Sequence, residues 1–199
     1  MKSNYLFISI IICTLYICGT QKAVAQKVYK DENNKIILDC GPDSGFPQEA
    51  VTTVTGQKTI TPSATGLGED NSDTGSINAT VFYKLEIDAK DLDGTNNWVG
   101  AYNACKNKGT AANGEIWRLP TQKELMLMYV FRTAIAALGG TMNTSSYNRD
   151  SYYWSCTEIF STEARYLAFY KGYVYKIAKS ESIRVRCVRE IPMPVPADL

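Results

Sequence analysis

The chain has 199 residues, of which 45% are hydrophobic and 21% charged, so its length and composition suit one ordinary globular domain rather than a disordered chain. Lysine and arginine number 21 against 20 aspartates and glutamates, which excludes the strongly basic balance typical of nucleic-acid binding. Histidine is absent, which removes the commonest general base and the commonest metal ligand, and with them most hydrolase and zinc-enzyme mechanisms.

The first 25 residues have the pattern of a secretory signal peptide. Lys2 precedes an apolar run from residue 5 to residue 18, and Ala23-Val24-Ala25 supplies the small residues that signal peptidase recognises. The run is shorter than the roughly 20 residues that a membrane-spanning helix needs. We therefore expect cleavage after Ala25 and export to the periplasm, the cell surface or the medium, with no membrane span in the mature chain.

Four cysteines remain after that cleavage: Cys40, Cys105, Cys156 and Cys187. An even number in an exported chain predicts structural disulfides, and four cysteines allow three pairings. A zinc site is the rival hypothesis, but the spacing CxxC does not occur and no histidine is present. A catalytic thiol would need a basic partner that the neighbouring sequence does not supply. We expect no metal, no other cofactor and no catalytic residue.

Residues 26–76 are expected to form an N-terminal extension of strands and loops. Ile36-Ile37-Leu38 follows a polar turn and predicts a hairpin or an edge strand. Residues 41–76 are rich in threonine, serine, glycine and aspartate, which is typical of loops or loosely packed strands.

The next segment predicts one strand and two helices. Apolar side chains alternate from residue 81 to residue 87, the period of a half-buried strand. Asn96 or Asn97 then caps a helix whose last turn points Cys105 into the core. Thr121 and Glu124 form a capping box, which predicts a second helix that continues to residue 138.

The C-terminal part predicts several antiparallel strands. Alternating segments at 165–169 and 173–177 flank Lys171-Gly172, a hairpin turn. One face of the final strand is expected to carry Ile183, Val185 and Cys187, and the other face Arg184 and Arg186. Residues 191–199 form a proline-rich extended tail. This order of helices and strands predicts an α+β fold.

Five short motifs follow one another between residues 77 and 190. They are Trp98 with Ala101 and Cys105; Trp117-Arg118-Leu119-Pro120-Thr121 leading into Glu124-Leu125; Tyr153-Trp154-Ser155-Cys156-Thr157-Glu158; Ala164 and Phe169 with Gly172; and Val185-Arg186-Cys187-Val188-Arg189. In this order they resemble the Lcl C-terminal domain family, related to the Fibrobacter succinogenes major paralogous domains and found on exported bacterial proteins. The amino-acid sequence of these motifs is also similar to that of the C-terminal parts of Bacteroides-type fimbrillin-like surface proteins.

The resemblance implies a variant of the C-type lectin-like fold over residues 77–190, with two helices packed on an antiparallel sheet. It also implies a disulfide between Cys105 and Cys187, after which Cys40 and Cys156 would pair with each other. That second bond departs from the family, which usually has serine at the position of Cys156. It would attach the N-terminal extension to the lectin-like body.

Calcium-dependent sugar binding is not indicated, because the tripeptides that C-type lectins use for it (Glu-Pro-Asn, Gln-Pro-Asp and Trp-Asn-Asp) do not occur. The only local set of acidic residues is Asp88, Asp91 and Asp93, which we interpret as a solvated loop before a helix.

Tyrosines provide the strongest indication of a binding surface. Seven of the thirteen lie between residues 147 and 175, although strands are also rich in aromatic residues for structural reasons. The residues that we expect on an exposed ligand-binding surface are Tyr147, Asn148, Arg149, Tyr173 and Tyr175. We assign Trp117 and Trp154 to the core and Arg118 to structural hydrogen bonds.

We therefore expect an exported, non-enzymatic binding module on a bacterial surface, an adhesin or fimbrial component that recognises a glycan or a surface protein. One alternative is a structural pilus subunit whose partners are other fimbrial subunits. A second alternative is an enzyme similar to the formylglycine-generating enzymes, which depend on a reactive cysteine pair.

Overall fold

A computed structural model of the chain describes residues 26–40, 64–67, 72–73, 84–109, 117–145 and 147–191. The predicted signal peptide at 1–25, most of the loop region at 41–76, the first residues of the strand expected from residue 81 and the tail from residue 192 lie outside the described residues. The domain boundaries stay predictions.

The described residues have an α+β fold, as predicted. The strands are β1 (Lys27–Lys30), β2 (Ile36–Asp39), β3 (Lys84–Ile87), β4 (Tyr152–Phe160), β5 (Glu163–Ala168), β6 (Tyr173–Ala178) and β7 (Val188–Glu190). The helices are α1 (Trp98–Lys106), α2 (Gln122–Val130) and α3 (Arg132–Ala137), and a short 3-10 helix spans Arg149–Ser151. The strands form two antiparallel sheets, in the orders β1-β2-β3-β7 and β4-β5-β6.

The N-terminal strands are part of the first sheet. Strands β1 and β2 form the predicted hairpin, whose turn is closed by the Asp31 carboxylate accepting from the backbone N–H groups of Asn33 and Lys35 at 2.9 and 2.8 Å. Strand β2 pairs with β3, with Leu38 opposite Leu85. The segment before the loop region is thus attached to the rest of the fold by backbone hydrogen bonds.

Two short pieces of the segment between β2 and β3 contact the second sheet. The buried ammonium of Lys179 donates to the backbone oxygen of Gly66 at 2.7 Å and pairs with the buried carboxylate of Glu158. Farther along, Arg165 forms an ion pair with Asp73 at 2.7 Å. These contacts place parts of the predicted extension against β4 and β5.

The helices begin where their caps predict. The Asn97 side chain accepts from the Gly100 N–H at the start of α1, and Thr121 and Glu124 form the complete capping box of α2. We predicted one continuous second helix, and this prediction is wrong. Phe131 has ψ of 9°, far from the helical value of about −42°, and it separates α2 from α3. The described residues therefore contain three α-helices rather than two. None of the helices in this part of the chain combines the length and apolarity that crossing a bilayer requires.

The core consists of two hydrophobic clusters on opposite faces of the second sheet. Successive residues of a strand point to opposite faces, so Tyr153 packs in one cluster and Trp154 in the other, and both are fully buried. The first cluster also contains the buried hydrophobic residues of α2, including Leu125. The second contains Trp98 of α1.

The final strand is shorter than predicted. Ile183, Val185 and Cys187 are fully buried in the second cluster, but the ladder is limited to β7, and Ile183 makes only an isolated bridge to Asn96. The Arg186 side chain turns inward, where its guanidinium donates to the backbone oxygens of Asp88, Gly140 and Thr141. The backbone before β7 forms scattered hydrogen bonds instead of a ladder: Arg184 donates to the Tyr152 oxygen at 3.0 Å, and the Val185 oxygen accepts from the Leu92 N–H at 3.0 Å.

One of the two expected disulfides is present. Cys105 of α1 is bonded to Cys187 just before β7, with the two Cα atoms 5.5 Å apart. The bond expected between Cys40 and Cys156 is wrong, because both residues are buried thiols. Cys40 belongs to the first hydrophobic cluster and Cys156 to the second.

A candidate binding surface of tyrosines

One face of the second sheet packs against the second hydrophobic cluster at one end and carries tyrosines at the other end. In this sheet Tyr152 lies opposite Ala168, which lies opposite Tyr173; in the next row Trp154 lies opposite Tyr166, which lies opposite Tyr175. Partners in register point to the same face, so four tyrosines of three strands share the face on which Trp154 is buried.

The turn between β5 and β6 adds a fifth tyrosine, Tyr170. The backbone N–H groups of Lys171 and Gly172 both donate to the Ala168 oxygen, at 3.3 and 2.8 Å, and Gly172 has φ of 74°. Glycine adopts this left-handed conformation without steric strain. The tight turn keeps Tyr170 next to Tyr173 at the start of β6.

The loop before β4 adds Tyr147. The Asn148 side chain accepts from the Asp150 N–H at 3.0 Å, the Ser151 hydroxyl donates to the Asn148 oxygen at 3.0 Å, and Arg149 forms an ion pair with Glu181. These bonds hold the loop in a defined conformation. Tyr147, at 79% exposed, projects from it into solvent.

We call this set of rings the tyrosine surface. It comprises Tyr147, Tyr152, Tyr166, Tyr170, Tyr173 and Tyr175. Four of the rings form a nearly parallel row in the order 170, 152, 166 and 175, with successive centroids 6.4, 4.7 and 6.0 Å apart and interplanar angles of 30°, 28° and 33°. The other two stand edge-on: the ring of 147 meets that of 170 at 83°, and the ring of 173 meets that of 175 at 86°.

The tyrosine surface presents apolar rings with neutral polar tips. Tyr173 and Tyr175 are 46% and 49% exposed, while Tyr166 is buried beneath them. Burial, together with the neighbouring tyrosines, raises the pKa of Tyr166 to about 12, and the same causes raise the pKa of Tyr170. The hydroxyl groups of these two residues therefore stay protonated near neutral pH. The Lys171 ammonium adds positive charge, at 5.9 Å from the Tyr170 ring centroid.

The structure brings together the three tyrosines that we expected to be exposed. Tyr147 and Tyr173 both contact Tyr170, and Tyr173 contacts Tyr175. Asn148 and Arg149 lie in the same loop and are exposed, but their side chains already bond to Asp150 and Glu181. The role of all five residues in ligand binding stays a prediction.

Three members of the tyrosine surface were not among the predicted site residues. All three belong to the same tyrosine-rich segment. The register of β4, β5 and β6 shows that Tyr152 and Tyr166 face the others, and the turn after β5 places Tyr170 beside them. By contrast, Tyr153 lies in the core, where its hydroxyl donates to Asp91 at 2.8 Å and accepts from the Asn143 N–H at 2.7 Å. Burial and the Asp91 carboxylate raise its pKa well above the ordinary value.

Three residues were predicted to have structural roles, and the structure shows a different degree of agreement for each. Trp154 is fully buried, as expected, and its ring N–H donates to the Asn96 oxygen at 2.8 Å. Trp117 packs against the second cluster but is only half-buried, so it lies at the edge of the core, with the Lys108 ammonium and the Arg189 guanidinium 5.3 and 5.0 Å from its ring centroid. Arg118 makes the structural hydrogen bonds that we expected, to Glu124 and Glu190.

The three aspartates before α1 do not converge on one point. Asp88 pairs with Lys108 at 2.7 Å and Asp91 with Arg186 at 2.7 Å, while Asp93 is exposed. In the part of the chain that the structure describes, no group of three or more cysteine, aspartate or glutamate side chains is arranged to hold a metal ion. Asp88 and Asp91 instead act as partners for basic side chains of neighbouring elements.

The chain matches the model of a known family. The family model described as the Lcl C-terminal domain matches residues 58–189, which is well over half of the chain. The match begins before residue 77, where we expected the domain to start, and it includes both short pieces that contact the second sheet. No curated protein matches the chain.

Proposed function

Because the chain belongs to the Lcl C-terminal domain family, we propose that it is an exported bacterial surface module that binds a ligand without catalysing a reaction. The observation that carries this proposal is the tyrosine surface. In more specific terms, the protein acts as an adhesin or fimbrial component, and the ligand is a glycan or a protein on another surface.

The exposed aromatic area supports a binding role. Tyr147, Tyr173 and Tyr175 present large apolar rings to solvent within one contiguous set of contacts. Contiguous exposed apolar patches mark interaction sites more often than scattered apolar residues do. Tyrosine is enriched in binding interfaces because its ring supplies contact area while its hydroxyl still forms hydrogen bonds. The packing of each ring on the next limits the rotamer freedom that binding would otherwise remove.

The disulfide supports export. Bonds of this kind persist in the periplasm, at cell surfaces and in the medium, and are rare in the reducing cytosol. The Cys105–Cys187 bond is therefore the covalent feature expected of a chain that crosses the membrane through the secretory pathway.

The state of the two thiols argues against the enzyme hypothesis. A reactive cysteine has a lowered pKa and an accessible sulfur. Cys40 is fully buried, and burial, with the carboxylates of Glu124 and Asp39, raises its pKa to about 12. Cys156 is also fully buried. Cys40 therefore lacks the environment of a nucleophile.

The test is a binding screen of protein expressed from the full sequence, against a glycan array and against extracts of bacterial and host surface proteins. We expect saturable binding to at least one ligand, in calcium and in chelator alike, and loss of that binding in Tyr147→Ala and Tyr173→Ala. The matched control is Phe160→Ala, which removes a ring that is 52% exposed at the opposite end of β4. Equal effects of the control and the tyrosine variants would contradict the proposal.

A structural pilus subunit is the second candidate. Ile191 still donates its N–H to Lys84 at 2.9 Å, so the proline-rich tail follows directly on the first sheet and could add to a sheet of another chain as a strand. Deletion of residues 192–199 separates the two functions. If the deletion abolishes assembly and leaves ligand binding intact, the structural role is favoured. If assembly and ligand binding both persist, the binding module is favoured.

A further inference from the structure

An open cavity of about 450 Å³ lies beside the loop that carries Tyr147 and is separate from the tyrosine surface. It is lined by Asp91, Thr141, Met142, Asn143, Thr144, Ser145 and Arg184. Its volume lies within the range of about 300–1,000 Å³ that is usual for small-molecule sites. Its lining contains hydroxyl, amide, carboxylate and guanidinium groups together with one apolar side chain, Met142, which is itself buried.

The carboxylate of Asp91 is held in place and retains capacity for one more hydrogen bond. One of its oxygens contacts the Arg186 guanidinium through Nε at 2.8 Å and Nη2 at 2.7 Å, and the other accepts from the Tyr153 hydroxyl at 2.8 Å. A carboxylate can accept about four hydrogen bonds, so about one site is left for a ligand donor.

The Arg184 guanidinium is oriented by the backbone and keeps donors available. Its Nε donates to the Asp150 oxygen at 2.6 Å. Its terminal nitrogens lie 3.6 Å from an Asp91 oxygen and 3.9 Å from an Asp150 oxygen, both longer than a hydrogen bond. The side chain is 28% exposed, so its terminal N–H groups can donate to a ligand in the cavity.

The charges around the cavity balance. Two arginines, Arg184 and Arg186, are matched by two aspartates, Asp91 and Asp150. An anion placed beside Arg184 would also lie close to both carboxylates, which repel it. Neutral hydroxyl groups avoid this repulsion, because each hydroxyl can accept from the guanidinium and donate to a carboxylate.

We propose that this cavity binds one neutral sugar unit through neighbouring hydroxyl groups. Arg184 donates to one hydroxyl oxygen, and Asp91 accepts from the next. The Thr144 hydroxyl adds a further hydrogen bond, and the Ser145 hydroxyl, which donates to the Asn143 side chain at 2.7 Å, can accept one from the sugar. This assignment goes beyond the tyrosine surface and does not require it.

The test is an NMR titration of isotope-labelled protein expressed from the full sequence. The probes are the methyl glycosides of glucose, galactose, mannose and N-acetylglucosamine, with sodium acetate and inorganic phosphate as anionic probes. We expect saturable shifts of the Arg184 Nε–H signal and of the amides of residues 141–145 with at least one glycoside. Arg184→Lys should weaken that binding about tenfold or more, because lysine lacks the planar fork of donors.

The control variant lies outside both the cavity and the tyrosine surface. Arg165→Lys makes the same substitution at an arginine that pairs with Asp73, and it should leave the glycoside affinity unchanged. Thr144→Val removes one lining hydroxyl group from an exposed position and should weaken binding without affecting the fold. Preserved spectral dispersion shows that each variant is folded.

Three outcomes overturn the proposal: no saturable shift with any glycoside, tighter binding of acetate or phosphate than of every glycoside, or unchanged affinity in Arg184→Lys. None of these outcomes affects the proposed function, which depends on the loss of array or partner binding in the tyrosine variants.

Discussion

Arg118 joins three parts of the fold through one buried guanidinium. Its terminal nitrogens donate to both carboxylate oxygens of Glu124 at 2.8 Å, and its Nε donates to Glu190 of β7 at 2.8 Å. Glu124 also accepts from the Thr121 N–H, so the carboxylate that caps α2 is shared with the arginine. The side chains of Arg118, Glu124 and Glu190 are all at most 1% exposed, so none of the three charges is solvated by bulk water.

We expect Arg118→Met to lower the free energy of unfolding by about 3–5 kcal/mol, because it leaves two buried carboxylates without their cation. Urea unfolding followed by circular dichroism measures the change. Arg149→Met is the matched control: its partner Glu181 is 37% exposed, and loss of such a pair costs less than about 1 kcal/mol. Similar losses in the two variants would contradict the role assigned to Arg118.

Cys40 and Cys156 should not react with thiol reagents in the folded protein. Both are fully buried, and the raised pKa of Cys40, about 12, keeps its sulfur protonated at neutral pH. Titration with a disulfide reagent should find no reactive thiol in the native protein and two per chain in denaturant without reductant. Two rapidly reacting thiols in the native state would favour the enzyme hypothesis. If no thiol reacts even in denaturant, Cys40 and Cys156 form the second disulfide that the family resemblance implies.

The hairpin of β5 and β6 depends on close packing of its turn against α2. A Cβ atom added at Gly172 would lie 2.4 Å from the Tyr129 ring, nearer than real Cβ atoms approach. That ring is held between the Phe169 ring, 5.7 Å away, and the Arg132 guanidinium, 4.2 Å away, so it has little freedom to move. The same turn places Tyr170 and Tyr173, which links helix packing to the tyrosine surface.

We expect Gly172→Ala to destabilise the protein by about 2–5 kcal/mol. Its left-handed backbone accounts for about 1–2 kcal/mol and the clash with Tyr129 for a further 1–3 kcal/mol or so. Gly94→Ala is the control, because Gly94 has nearly the same φ, 72°, with open space around its Cβ position. Thermal and urea unfolding should show only the backbone cost of about 1–2 kcal/mol in the control. Equal losses in both variants would show that contact with Tyr129 does not matter.

At the scale of the whole molecule, the Cys105–Cys187 bond connects the first helix to the segment before the last strand. The two cysteines are 82 residues apart in the chain, and the segment between them includes α2, α3 and the entire second sheet. Linking them restricts the unfolded chain far more than it changes the folded one.

Reduction of this disulfide should cost about 4–5 kcal/mol on the chain-entropy model. Urea unfolding with and without reductant measures the loss, and the double variant Cys105→Ser, Cys187→Ser should show no further effect of reductant. Unchanged stability of the natural chain on reduction would mean that the bond does not constrain the unfolded state as the model assumes.

The local pattern of the sequence determined the elements whose signals are local. The cap at Asn97, the capping box of α2 and the turn at Lys171-Gly172 depend on side chains a few residues apart, and all three occur in the structure. The motifs that resemble the Lcl C-terminal domain family likewise correspond to the observed family match. In each case short-range hydrogen bonds or the periodicity of apolar residues carry the information.

Only the tertiary structure decided which distant residues meet. The burial of Cys40 and Cys156 in two different hydrophobic clusters and the inward turn of Arg186 depend on how sheets and helices pack, which spacing along the chain does not reveal. The tyrosine surface follows from the register of β4, β5 and β6, since a shift by one residue would move each of their tyrosines to the opposite face. Tertiary packing also creates the cavity beside Arg184, because long-range contacts bring its walls together from three separate segments of the chain.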